Sequence, residues 1–170
     1  MQWLVGLYKS EDICYNIYMI EMIINGGKKK ERELIEDLAF FCVKKLMPRK
    51  KNLEVNISIK RNMIEDEGMF AGVVDTENTN TFDMDLDSSM SLRKKLLSVA
   101  HEMVHVKQFT RGELKHTNNF AVKRWYGKDF HDSKYWECPW EIEAYGRELG
   151  LFTMWVEENK IKGNFTEDPT

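Results

Sequence analysis

The feature that most constrains this chain is the run His101-Glu102-Met103-Val104-His105, set inside a stretch of helical character from Ser91 to Phe109. Histidines at positions i and i+4 of a helix stand one turn apart on one face, so both imidazoles can reach a single ion. The glutamate directly after the first histidine projects near that ion without having to bind it. This is the H-E-x-x-H arrangement, in which the histidines hold zinc and the glutamate serves as general base toward a water. The competing reading is an amphipathic core helix that carries two surface histidines, and the surrounding chain has to decide between them.

At 170 residues the chain suits one domain, 1–170, with a core large enough to need no staples. A net charge of −3 makes no demand for a nucleic-acid or membrane partner. The two basic clusters, Lys28–Lys30 and Arg49–Lys51, abut helix ends and read as solvated charge. Cys14, Cys42 and Cys138 are odd in number and lack C-x-x-C spacing, which argues against a disulfide framework and for a reducing compartment. Lys9, Glu11 and Asp12 break up the N-terminal apolar residues, so neither a signal peptide nor a transmembrane helix is expected and the cytoplasm is the default location.

Along the chain, residues 1–16 read as an irregular arm and Ile17–Ile24, rich in β-branched types, as a strand. Lys29–Met47 is a helix on the spacing of Ile35, Leu38, Cys42 and Leu46, stopped by Pro48. Leu53, Val55, Ile57 and Ile59 alternate with polar residues as a half-buried strand does. Met69–Val74 suits a further strand. In the next, Phe82, Met84 and Leu86 oppose Asp83, Asp85 and Asp87, a charged face that suits a sheet edge.

Ser88 or Ser89 can cap the histidine helix, whose buried stripe is Leu92, Leu96, Val99, Ala100 and Met103, and Gly112 ends it. Glu113–Cys138 is long for a connection and rich in aromatics, so a loop with a small hairpin that shapes a cleft is expected. Trp140–Glu157 forms the last helix, with Ile142, Tyr145, Leu149, Phe152 and Trp155 on its core face. The tail 159–170 has little to bury and is expected to fray.

Catalytic zinc normally takes three protein ligands and keeps one position open. Candidates for the third are His116, His131, Cys138, Glu141 and Glu143. The two glutamates are two apart, roughly 200° around a helix, so only one can face an ion shared with His101 and His105. Pairing His131 with Cys138 as a thiol protease lacks any local signature.

The motif HEMVH, followed by a later helix bearing E-x-E-A, resembles the gluzincin branch of the zincin metallopeptidases. From the histidine helix through YWECPWEIEAYGRE the chain looks like small phage-encoded metallopeptidases, and in outline like the ImmA/IrrE-type and SprT-like minimal zincins. The resemblance covers roughly residues 28–155. It implies an α+β, minimal zincin-like fold: a small, mostly antiparallel sheet flanked by helices, with one Zn2+ per chain between the histidine helix and the C-terminal helix. It implies Glu141 as third ligand, with Ala144 and Tyr145 at the positions that follow such a glutamate in these families. Tyrosine stands where aspartate or asparagine is commoner. An E-A pattern selects Glu143 instead, and the SprT-like case keeps His116 and His131 open.

The resemblance further implies hydrolysis of a protein or peptide substrate with Glu102 as general base, the substrate pairing alongside the Phe82–Asp87 strand. An oxyanion donor or histidine support is expected from Tyr126, Tyr135, Tyr145, His131 or Arg147. A phage-like origin implies the host cytoplasm or the virion. Two rivals stand beside this reading: a non-catalytic interaction protein on the same scaffold, and a regulator acting on one specific protein partner. Oligomeric state is left open.

Overall fold

The first strand, helix and second strand already decide the direction of the sheet. A computed structural model describes residues 19–63, 70–76, 80–117, 122–131 and 134–167. The arm at 1–16, Cys14, Met69 and the last three residues of the tail lie outside the described residues. Strand β1 (Met19–Asn25) leads through helix α1 (Lys29–Leu46) into β2 (Asn52–Lys60). Because α1 carries the chain back to the end where β1 began, β1 and β2 pair in parallel, with Ile20, Met22 and Ile24 beside Leu53, Val55 and Ile57. Strands β3 (Ala71–Asp75) and β4 (Thr81–Asp87) complete a sheet of order β1-β2-β4-β3. β2 and β4 are parallel, and only β3 and β4 are antiparallel. The expectation of a mostly antiparallel sheet is thereby corrected. Period-two alternation is common to both directions, and the crossover through α1 decides between them.

The alternation does predict the faces. Leu53, Val55, Ile57, Phe82, Met84 and Leu86 are buried on one side of the sheet, beneath the helices. The opposite side carries polar pairs: Asn56 Nδ2 donates to Asp83 (3.0 Å), and Lys60 Nζ to Asp85 (2.6 Å). β4 is therefore not the edge that its aspartates suggested, because it is flanked in plane by β2 and β3. Asp87 is 1 % exposed and accepts from the backbone N–H of Met63 (2.9 Å) and of Ser89 (2.7 Å), pinning the turn that enters the next helix.

That helix, α2 (Leu92–Thr110), is capped by Ser91, whose Oγ accepts from the Lys94 N–H at 3.3 Å. Ser88 and Ser89 belong to the turn before it and do not cap. Gly112, at φ +68°, turns the chain out of α2 where a side chain would be strained. Between Val99 and Gln108 every residue of α2 is buried, the histidines included.

The long connection holds more than a hairpin. Strands β5 (Leu114–His116), β6 (Val122–Trp125) and β7 (Lys128–His131) form a second, antiparallel sheet. Tyr126 and Gly127 both have positive φ in the two-residue β6–β7 turn. Leu114, Cys138 and Trp140, with Phe109, Trp125 and Phe130 against them, make a small core of their own. A 3-10 turn, Tyr135–Glu137, then enters helix α3 (Pro139–Glu158).

Helix α3 lies along α2 in the opposite direction: Arg93 sits over the Phe152 ring, His101 meets Glu148, and Gln108 meets Glu143. Its inner face is Trp140, Glu141, Ala144, Leu151, Phe152 and Trp155. Ile142 (58 % exposed), Leu149 (51 %) and Tyr145 (41 %) are not core residues, contrary to the periodic reading. The tail is also not frayed as far as Glu167: Ile161 and Phe165 pack on the main core, and Arg93 Nη1 donates to the Phe165 carbonyl at 3.1 Å. The fold is α+β, with helices on one face of the larger sheet. Among the described residues no helix is long and apolar enough to cross a membrane.

Candidate metal centre

Three buried ligand atoms from two helices converge. His101 Nε2 and His105 Nε2 lie 3.2 Å apart, one turn from each other on α2. Glu141, from the first turn of α3, places Oε2 at 3.3 Å from the first and 3.4 Å from the second. Ligand atoms held tetrahedrally at zinc distances of about 2.0–2.1 Å would stand about 3.3–3.4 Å from one another. Glu141 Oε2 is buried beside the two imidazoles and none of these contacts is aligned as a hydrogen bond. A buried carboxylate oxygen without a hydrogen bond is costly. The three side chains could hold a metal ion, and the spacing and that oxygen both fit one.

The other ring nitrogens are engaged from behind. His101 Nδ1 lies 2.8 Å from Glu148 Oε2, and His105 Nδ1 lies 2.8 Å from Gln108 Oε1. A carboxylate accepts only, so Nδ1 of His101 carries a hydrogen toward Glu148, and once the ring is neutral it is Nε2 that turns a lone pair to the cluster. Burial disfavours a charged His101, but Glu141 and Glu148 outweigh it and raise the metal-free imidazole to about 9. Burial would raise Glu141, yet His101 and His105 hold it well below the usual carboxylate range. The carboxylates around His101 thus favour positive charge at the cluster.

Glu102 is buried beside His101, and burial pushes its carboxyl up against the opposing pull of His105 and His101. It opens on a cavity of about 680 Å³ lined also by His101, Glu148, Tyr135, Tyr145, Phe70, Met90 and Leu97. The Tyr135 and Tyr145 hydroxyls are 3.5 Å apart. Burial, then Tyr145 and Glu141, push the Tyr135 phenol up.

The remaining candidates sort by position. Glu143, the alternative third ligand, faces away from the cluster: Lys107 (2.7 Å), Arg147 (2.9 Å) and Gln108 (3.0 Å) all donate to it. Arg147 is thereby engaged away from the cavity. Tyr145 does touch His101, but by its ring, centroid to centroid at 4.5 Å, and not by a hydrogen bond from behind. His116 stacks on Phe109 and pairs with Lys123 across the small sheet. His131 is exposed on β7, opposite Val122. Tyr126 is exposed at the hairpin turn, and Cys138 belongs to the small core. None of these four joins the cluster or lines the cavity. Glu148 and Gln108 were missed. Glu148 was findable, since it shares a helix face with Glu141 and Ala144, two turns on. Gln108 shares His105's face at i+3 in the same way.

No family model matches the chain, and no curated protein and no solved structure matches it either.

Proposed function

We propose that the protein is a zinc-dependent metallopeptidase of the zincin type, with His101, His105 and Glu141 as ligands and Glu102 as general base. The observation that carries this reading is the convergence of three buried ligand atoms at 3.2–3.4 Å beside a buried glutamate that opens on a cavity. A purely structural site has no use for that glutamate. Zinc bound there supplies Lewis acidity, polarising a carbonyl and acidifying a water. Glu102, raised by burial, accepts the water's proton and delivers it to the departing amine. Tyr135, with its hydroxyl at the cavity, is the candidate donor to the carbonyl oxygen as charge develops there.

The substrate cannot pair alongside β4, whose two edges are taken by β2 and β3. Among the described residues the open edge next to the cavity is β3, whose Ala71 lines it, and an extended peptide fits there. The setting proposed is the host cytoplasm or a virion. A second reading, a non-catalytic scaffold that binds a protein partner, draws support from the exposed Ile142 and Leu149 on α3 and from the exposed Trp136, which packs on the cavity-lining Tyr145.

Elemental analysis tests the site, and a hydrolysis assay separates the two readings. One zinc per chain in wild type, lost in His101→Ala and Glu141→Ala and retained in Glu102→Gln, supports the site. Peptide-library hydrolysis by wild type but not by Glu102→Gln supports the enzyme. A reconstituted wild type without zinc would overturn both site and enzyme.

A further inference from the structure

We infer that Gln108 and Glu143 act as a pair of positioning residues that fix which nitrogen of His105 carries the hydrogen. The inference rests on the metal reading above, and concerns a residue pair that touches no ion. Gln108 is 0 % exposed, so its amide has no water to turn toward. Its Nε2 lies 3.0 Å from the Trp140 carbonyl and 3.0 Å from Glu143 Oε2. Both are acceptors, and an amide turned the other way would set its oxygen against two oxygens. Nε2 therefore faces α3, and Oε1 faces His105 Nδ1 at 2.8 Å. An amide oxygen can only accept, which places the hydrogen on Nδ1 and leaves Nε2 bare toward His101 and Glu141.

The orientation of Gln108 is in turn secured by charge. Glu143 stays an acceptor because Lys107 and Arg147 both donate to its Oε1, which leaves Oε2 for Gln108. Lys107 is itself buried and also pairs with Glu113 at 2.6 Å, so it is held from a second side. The two histidines are thus supported by different means. His101 leans on a carboxylate at the cavity, and His105 on a neutral amide whose direction is set one residue further back.

The discriminating variant is Glu143→Gln, which keeps shape. With the new amide oxygen retained by Lys107 and Arg147, its nitrogen faces Gln108 Nε2, donor against donor, and drives Gln108 to turn over. Long-range nitrogen-15 NMR of His105 in the metal-free protein should then show the Nδ1–H tautomer in wild type and a shift toward Nε2–H in Glu143→Gln and Gln108→Leu. Zinc affinity, measured by chelator competition, should fall about 10–100-fold in both. An unchanged tautomer, with affinity within about twofold of wild type in folded Glu143→Gln, would overturn the inference; Gln108→Leu serves as the second variant if one fails to fold. Absence of zinc binding in wild type would instead sink the metal reading, and the tautomer measurement would still judge this one.

Discussion

The seam between α2 and α3 has two ends of opposite character. At one, Leu96 and Val99 of α2 and Leu151, Phe152 and Trp155 of α3 are buried and apolar, and Trp155 Nε1 donates to Asp37 of α1 at 2.8 Å. At the other, His101, Glu102, His105 and Glu141 are buried to nearly the same degree and are all polar. Burying a large apolar side chain contributes about 1.5–3 kcal/mol, whereas a buried polar group costs unless it is paired. One end therefore holds the helices together so that the other can keep ligands close with an oxygen left without a hydrogen bond. The candidate site sits where the seam is energetically poor.

The polar end breaks in the chemistry first. Glu102→Gln should lower peptide hydrolysis by about 10²–10⁴-fold while zinc is retained. The same variant should raise the urea midpoint of the metal-free protein. Burial raises the folded carboxyl above its unfolded value, so stability is lost as pH rises from 4.5 through that folded value, and glutamine escapes the penalty.

The apolar end breaks in the fold. Phe152→Ala or Trp155→Ala should cost about 3–5 kcal/mol in denaturant unfolding. An intermediate effect is expected from Glu148→Gln, which leaves His101 a weaker partner: zinc affinity down about 10–100-fold by competition, with a smaller loss of stability than the aromatic variants in the metal-free protein.

The pH profile sharpens the contrast further. His101 is raised in the folded metal-free state from 6.5 to about 9, so its pairing with Glu141 and Glu148 stabilises fully below 6.5 and is lost as pH rises through about 9. A falling melting temperature over that window in metal-free protein, abolished by saturating zinc, is the expected record. The smallest effect belongs to the outer face of α3, where Ile142→Ser should change stability by less than about 0.5 kcal/mol.

That outer face also explains what could be read from the residues alone. α1 and β2 were legible nearly to the residue, because Ile35, Leu38 and Cys42, and then Leu53, Val55 and Ile57, bury one face and expose the other. The histidine pair and Glu102 were legible because one helix turn carries all three. α3 misled because its buried face spends Glu141 and Glu148 on the site while Ile142, Tyr145 and Leu149 repeat at helical spacing toward solvent. Hydrophobic periodicity finds a core face only where the core is apolar. β4 misled for a related reason: Asp83 and Asp85 mark an open face of the sheet, Asp87 is buried in the turn that follows, and a face is not an edge. Strand direction leaves no trace in alternation at all. The docking of Ile161 and Phe165 depends on the assembled main core, which no local pattern encodes.

The candidate ligands divide between two helices, and the whole three-stranded sheet lies in the chain between His105 and Glu141. An ion shared by those residues closes that segment into a ring. By the chain-entropy estimate for a cross-link, a closed loop of this length removes about 4 kcal/mol of freedom from the unfolded chain. The metal would then work as a clasp as well as a reagent. Chelation should loosen the small sheet, whose own core is only a few residues, before it disturbs the parallel strands on the far side of α2.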